Sequence, residues 1–267
     1  MNIIEYNSVE EFYDFICKTP FNKTFRWAQH SSVNGDYRFT KTKSFDEATE
    51  LFRNGWQTMS EKLTKRMKAE EVKPEYIPLA KTTIGVQGYQ PVVPLYLMGI
   101  PNNMVTKKVV PQKKKVITIN KNVTFSGCIT TDVIEESNLK VLRLVNKLEA
   151  QNYRVNLNIV IAIGQRLYDD KGYIIKIRLK KASEKLNINK LAFSLAHPSM
   201  LRRLFFRWEE VYPDIPAYYR NNGYGVPINQ TYLKNEYFKD EYFISNIIEC
   251  DIEKIKDIKD LEKLEIN

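Results

Sequence analysis

Apolar and polar positions along the chain fall into stretches of distinct period. Val9 to Lys18 places Phe12, Phe15 and Ile16 on one face and is closed by Pro20, which predicts a helix. Ser44 followed by Glu47 is a capping box, Asn54-Gly55 is a left-handed stop, and a helix is expected between them. Trp56 to Ala69 predicts another helix, with Lys62, Lys65, Arg66 and Lys68 toward the end that the helix dipole favours. Asn34-Gly35, set among aromatic residues, predicts a hairpin with strands near Phe25–His30 and Tyr37–Thr40.

Further on, Val116 to Phe125 is strand-like. Asp132 and Glu135 form a capping pair for a helix running to about Gln151, and Val155, Leu157, Ile159, Ile161 and Ile163 then alternate along one face. Strand, helix and strand in this order make a βαβ unit, so parallel pairing through a right-handed crossover is expected. Tyr173 to Lys180 predicts an antiparallel partner strand, with helices over Asn189–Ala196 and Ser199–Val211. The expected fold class is α/β: a βαβ-containing mixed sheet flanked by helices, with a Rossmann-like or von Willebrand factor A-like core and a mainly helical N-terminal module. Four segments are expected: a helical head with a hairpin at 1–75, a proline-rich connection at 76–115, an α/β core at 116–235 and an acidic amphipathic tail at 236–267.

The connection breaks both periods. Pro74 to Pro111 holds six prolines and three glycines, which exclude a long helix or a central strand. Pro91, Pro94 and Pro101 alternate with Val92, Val93, Leu95, Leu97 and Ile100, and such an apolar, proline-locked stretch is expected to pack on the core with one helical turn near Val93–Met98. A groove for a partner is the alternative. In the tail, Ile252, Ile255, Ile258, Leu261 and Leu264 make an amphipathic stripe.

Composition narrows the class. Of 267 residues, 43% are hydrophobic and 27% charged, which excludes a mainly disordered or fibrous chain. No apolar run is long enough for a spanning helix and the first residues lack a secretory pattern, so a soluble protein without membrane contact is expected. Cys17, Cys128 and Cys250 offer neither a disulfide framework nor a metal knuckle.

Charge changes the picture more. The formal net charge of +9 divides into 0 for residues 1–75, +14 for 76–235 and −5 for 236–267. From Tyr76 to Thr131 there are seven lysines and no Asp or Glu. A one-signed field of this kind draws phosphate backbones or acidic protein surfaces. The residues expected to bind nucleic acid are Lys107, Lys108, Lys113, Lys114, Lys115, the strand ladder Lys176, Arg178 and Lys180, and the helical Arg202, Arg203 and Arg207. A solvated basic face, or ion pairs with Glu209, Glu210 or the acidic tail, is the competing reading of the same residues.

Candidate chemistry is sparse. His30 and His197 are the only histidines, and His197, between two helices and before Pro198, reads as a local hydrogen-bonding residue rather than a catalyst. Zinc, calcium and P-loop motifs are missing from the sequence, and no cofactor or catalytic residue is expected. The turn Ser126-Gly127-Cys128-Ile129-Thr130-Thr131-Asp132 sits at a strand's carboxyl end, where α/β folds bind ligands. Ser126 and Asp132 are weak metal candidates there by resemblance to von Willebrand factor A-like domains, but the leading aspartate of that motif is missing, so plain capping is preferred.

The blocks FRWAQHSS, FTKTKSFDEATELFRNGW, PVVPLYLMGIPNNM, LRLVNKLEAQNYRVNL and LAFSLAHPSMLRRLFF, in this order between Phe25 and Phe206, resemble a family of uncharacterised tailed-bacteriophage proteins. The resemblance implies a phage origin and a place in the host cytoplasm or the virion, with no activity to transfer. The expected function is non-enzymatic binding of nucleic acid or another polyanion. The alternative is a virion-structural or host-interaction protein working through contacts with phage or host protein, and a metal-dependent enzyme with a degenerate site is third.

Overall fold

The computed structural model describes residues 1–23, 30–68, 80–109, 115–127, 129–166, 171–215 and 224–245. A mixed sheet carries the fold, with strand order β1 (Asn2–Tyr6), β7 (Tyr173–Lys180), β6 (Tyr153–Gly164), β5 (Lys115–Asn122) and β9 (Tyr242–Ile244). β5 and β6 pair in parallel across α7 (Thr131–Ala150), which makes the βαβ unit, and β7 returns antiparallel to β6. The short β8 (Val226–Pro227) pairs antiparallel with Ile163 and Gly164, beyond the end of β5.

Alternation along β6 decides which face packs where. Val155, Leu157, Ile159, Ile161 and Ile163 enter the main buried cluster, while Val160 and Ala162 turn to a smaller one with Ile174, Ile228, Leu233, Phe238 and Phe243. The main face is covered by α1 (Val9–Lys18), α4 (Phe45–Asn54), α5 (Gln57–Lys68), α7 and α8 (Ile188–Ala196), followed by a π-helix (Met200–Phe205) that runs into α9 (Phe206–Val211). The smaller face is covered by α10 (Gln230–Tyr237).

Local signals explain the helical head. Ser8 caps α1 by accepting from the Glu11 amide, and Phe12 and Ile16, one turn apart, are buried. Ser44 accepts from the Glu47 amide at 3.0 Å, and α4 ends at Gly55 with φ of 95°. β1 runs parallel to β7, the Trp208 indole donates to the Tyr6 hydroxyl at 2.7 Å, and Phe12, Phe52 and Leu63 lie in one cluster with Leu157. The head thereby contributes to the same core as residues 116–235.

Two expectations fail here. Asn34-Gly35 makes no hairpin: Ser31–Asn34 (α2) and Tyr37–Thr40 (α3) are single helical turns, Gly35 closes the first, and Asp36 caps the second through the Arg38 amide. Residues 24–29, the other expected strand, lie outside the described residues. Arg203 donates to the backbone carbonyls of Ser32, Val33 and Gly35, which holds the chain in these turns. α7 begins at Thr131, so Asp132 sits in its first turn and is not its cap.

Candidate functional site

The described residues of the proline-rich segment, 80–109, do not enter the core. β2 (Ala80–Gly85), β4 (Met104–Val109) and β3 (Gln90–Pro91) form a separate antiparallel sheet, with the helical turn α6 (Val93–Leu97) where the sequence places one. Neither buried cluster contains a residue of 80–109. The reason lies in self-closure: Tyr89 and Val92 donate to the carbonyls of Val105 and Asn103, and Ile100 donates to that of Leu95. Gly88 lets the chain fold back this tightly, since a β-carbon there would sit 2.1 Å from the Val105 oxygen. This unit is an arm rather than a buried connection.

It carries exposed lysines and exposed apolar side chains. Lys81 lies directly opposite Lys108, and Thr82 opposite Lys107. Opposed residues share a face, so Lys81 and Lys108 crowd one side, while Lys107 on the other stands 5.6 Å from the centre of the Tyr89 ring. Like charges in register destabilise a sheet, and no acid between Tyr76 and Thr131 offsets them. Ile84, Val86, Tyr89, Val93, Tyr96, Leu97 and Met98 are each more than half exposed. Lys115, at the start of β5, is exposed, and Lys113 and Lys114 lie outside the described residues.

The remaining expected cations are built into the fold. Arg203 is fully buried: its Nε donates to Thr42 Oγ1, and its terminal nitrogens donate to the carbonyls of Ser32, Val33, Gly35 and Thr42. Arg202 lies 4.2 Å over the Phe39 ring and donates to the carbonyls of Phe39 and Gly127. Arg207 lies 3.5 Å over Phe21 and donates to the Ile16 carbonyl. Burial lowers all three from the usual guanidinium value, yet an arginine in a protein keeps its charge. Lys176 is held between Glu5 and Glu241, and Lys180 is buried against Glu149 at 2.6 Å. Arg178 and Lys180 of that ladder border a cleft, beside Arg53, Lys181 and Lys190 and also Glu10 and Glu184. Lys121 is buried and donates to Ser137 and the Ser245 carbonyl, and burial pulls its pKa well below the usual lysine value.

One acid of the tail segment pairs with a sheet lysine: Glu241, just before β9, takes Lys176. The amphipathic stripe from Ile252 onward lies outside the described residues.

At the carboxyl ends of β5 and β6 a cavity of about 480 Å³ opens between Thr124–Gly127, the π-helix, Phe39 and Tyr224–Pro227. Ser126 borders it. Among the described residues no group of three or more His, Cys, Asp or Glu is placed to hold a metal, and Asp132 is exposed in α7. Beside the cavity, the buried Glu210 accepts from the Ser32 amide at 3.1 Å and from the Ser32 and Tyr224 hydroxyls. Burial and this carboxylate push the Tyr224 phenol upward. Its neighbour Glu209 is fully buried with neither carboxyl oxygen hydrogen-bonded, and burial raises it well above the usual carboxylate range. His197 stacks on Phe193 and accepts from the Ser199 amide through Nδ1, a local role as expected, and burial lowers it to about 4.

Sequence reasoning passed over Lys81, Tyr89, Phe39, Phe206 and Tyr224. Lys81 was legible as part of the acid-free stretch, whereas Phe39, Phe206 and Tyr224 meet only through tertiary packing and Tyr89 meets Lys107 only once the arm folds.

These features define an α/β protein with a mixed sheet, a cavity at the parallel strand ends and a second, three-stranded sheet that carries exposed lysines. The chain belongs to the family described as a domain of unknown function (DUF7192), matched over residues 2–265. No curated protein and no solved structure matches it.

Proposed function

We propose that this is a tailed-phage protein that binds nucleic acid without catalysis, through the arm at residues 80–109 and the lysines that follow it. The carrying observation is the Lys81–Lys108 pair: two cations in register, with no acid on the arm and no core beneath it. A phosphate backbone removes that repulsion, and releasing its counterions supplies the free energy. The β2–β4 ribbon has the width of element that a duplex major groove accepts, so duplex DNA is the favoured form. Tyr89 gives Lys107 a flat apolar support. The order of the sequence blocks supports the phage origin, and with it the host cytoplasm or the virion as location.

Fluorescence anisotropy with a labelled duplex at low and high salt tests the reading. Binding at low salt that weakens steeply with added salt is expected, and no binding at low salt overturns it.

A second reading rests on a different feature of the arm. Tyr96, Leu97 and Met98 are 64%, 78% and 72% exposed, an apolar tip suited to a phage or host protein. Affinity capture with Leu97→Asp as the control distinguishes it: a partner retained by the wild type and lost by the variant supports protein contact.

A further inference from the structure

We infer that the cavity at the ends of β5 and β6 is a binding site for a small aromatic anion, a planar ring carrying a carboxylate or a phosphate. Arg202 is 6% exposed and lines the cavity. Among the described residues it pairs with no carboxylate, and its two hydrogen bonds, to the Phe39 and Gly127 carbonyls, leave three of its five N–H groups without a protein acceptor. A buried cation is costly unless paired, so an anion entering here gains a charge-assisted bond and relieves that cost.

The walls specify the rest of the ligand. Phe39, Phe206 and Tyr224 line the cavity, with Phe206 and Tyr224 stacked at 3.7 Å and Arg202 over the Phe39 ring. The volume of about 480 Å³ lies in the range of small-molecule pockets. The π-helix that carries Arg202 is a rare geometry that recurs at functional sites, because its extra residue per turn re-aims a side chain. The cavity also lies outside the carboxyl ends of two parallel strands, with Thr124–Gly127 following β5. The site is independent of the arm, so binding of nucleic acid and binding here stand or fall separately.

Isothermal titration of the full chain with benzoate and with AMP, each against its neutral counterpart benzamide or adenosine, is the test. At least one anion is expected to bind one per chain with a dissociation constant below about 1 mM, and its neutral counterpart about tenfold or more weakly. Val226→Trp, at a partly exposed position on the cavity rim, is expected to abolish that binding with an unchanged melting curve. The combined arm variant Lys81→Gln, Lys107→Gln, Lys108→Gln is expected to retain it, which separates the cavity from phosphate capture by the arm. The inference is overturned if neither anion binds, if the neutral counterparts bind equally well, or if Val226→Trp binds like the wild type.

Discussion

Lys81 and Lys108 face each other across the β2–β4 ladder of a sheet that has no acidic residue and shares no buried cluster with the rest of the fold. A protein that keeps two cations in register gives up arm stability, and the offset comes from whatever anion binds there. Stability and binding should therefore move in opposite directions. Lys108→Glu creates a cross-strand ion pair and is predicted to stabilise the arm by about 0.2–1 kcal/mol while weakening duplex binding. Slower amide exchange at Thr82–Ile84 together with a weaker anisotropy titration is the expected result, and a gain in both would contradict it.

Arg203 is predicted to be a folding residue and not a binding one. It satisfies the carbonyls of Ser32, Val33, Gly35 and Thr42, holding α2 and α3 against the π-helix. Arg203→Met leaves those acceptors unpaired and should cost about 3–5 kcal/mol in urea denaturation. Arg203→Lys should recover little, since an ammonium cannot span the same acceptors.

His197 sets a pH dependence. Unfolded, its imidazole takes up a proton below about 6.5; folded, burial delays this until about 4. The unfolded state binds more protons between those values, so this residue's contribution is full above pH 6.5 and is lost as pH falls toward 4. The loss should reach about 3 kcal/mol, and His197→Gln should flatten it, as read from denaturation midpoints across that window.

Glu209 has the opposite sign. Burial, with the Glu210 charge acting in the same direction, raises its carboxyl well above the 4.5 near which it ionises in the unfolded chain. Above that value the unfolded state loses a proton that the folded state keeps, so stability falls as pH rises. Glu209→Gln mimics the neutral form, and its stability relative to the wild type should grow as pH rises above about 4.5.

What the chain discloses before folding follows from range. The βαβ unit was legible because alternation over Val155–Ile163 and the helical spacing of Val133–Leu148 are local patterns. β1, β8 and β9 were not, because strands of two to five residues acquire their identity from the neighbour they pair with. The arginines were misplaced for a physical reason. A guanidinium reads as surface, yet five donors can be satisfied by carbonyls when a loop folds around it, and α2, Gly35 and α3 do so. The acid-free lysine stretch was visible as charge, but its separation from the core depended on backbone closure at Gly88 and Val92.

The salt dependence of duplex binding tests the central claim most directly. If Lys81, Lys107 and Lys108 with the three lysines at 113–115 each meet a phosphate, the logarithmic slope should be about −5 and affinity should fall roughly a thousandfold from 50 to 200 mM salt. Lys81→Gln, Lys107→Gln, Lys108→Gln should reduce the slope by about 2–3. An unchanged slope in that variant, or the same reduction on replacing Lys176 and Arg178, would contradict an arm-borne interface.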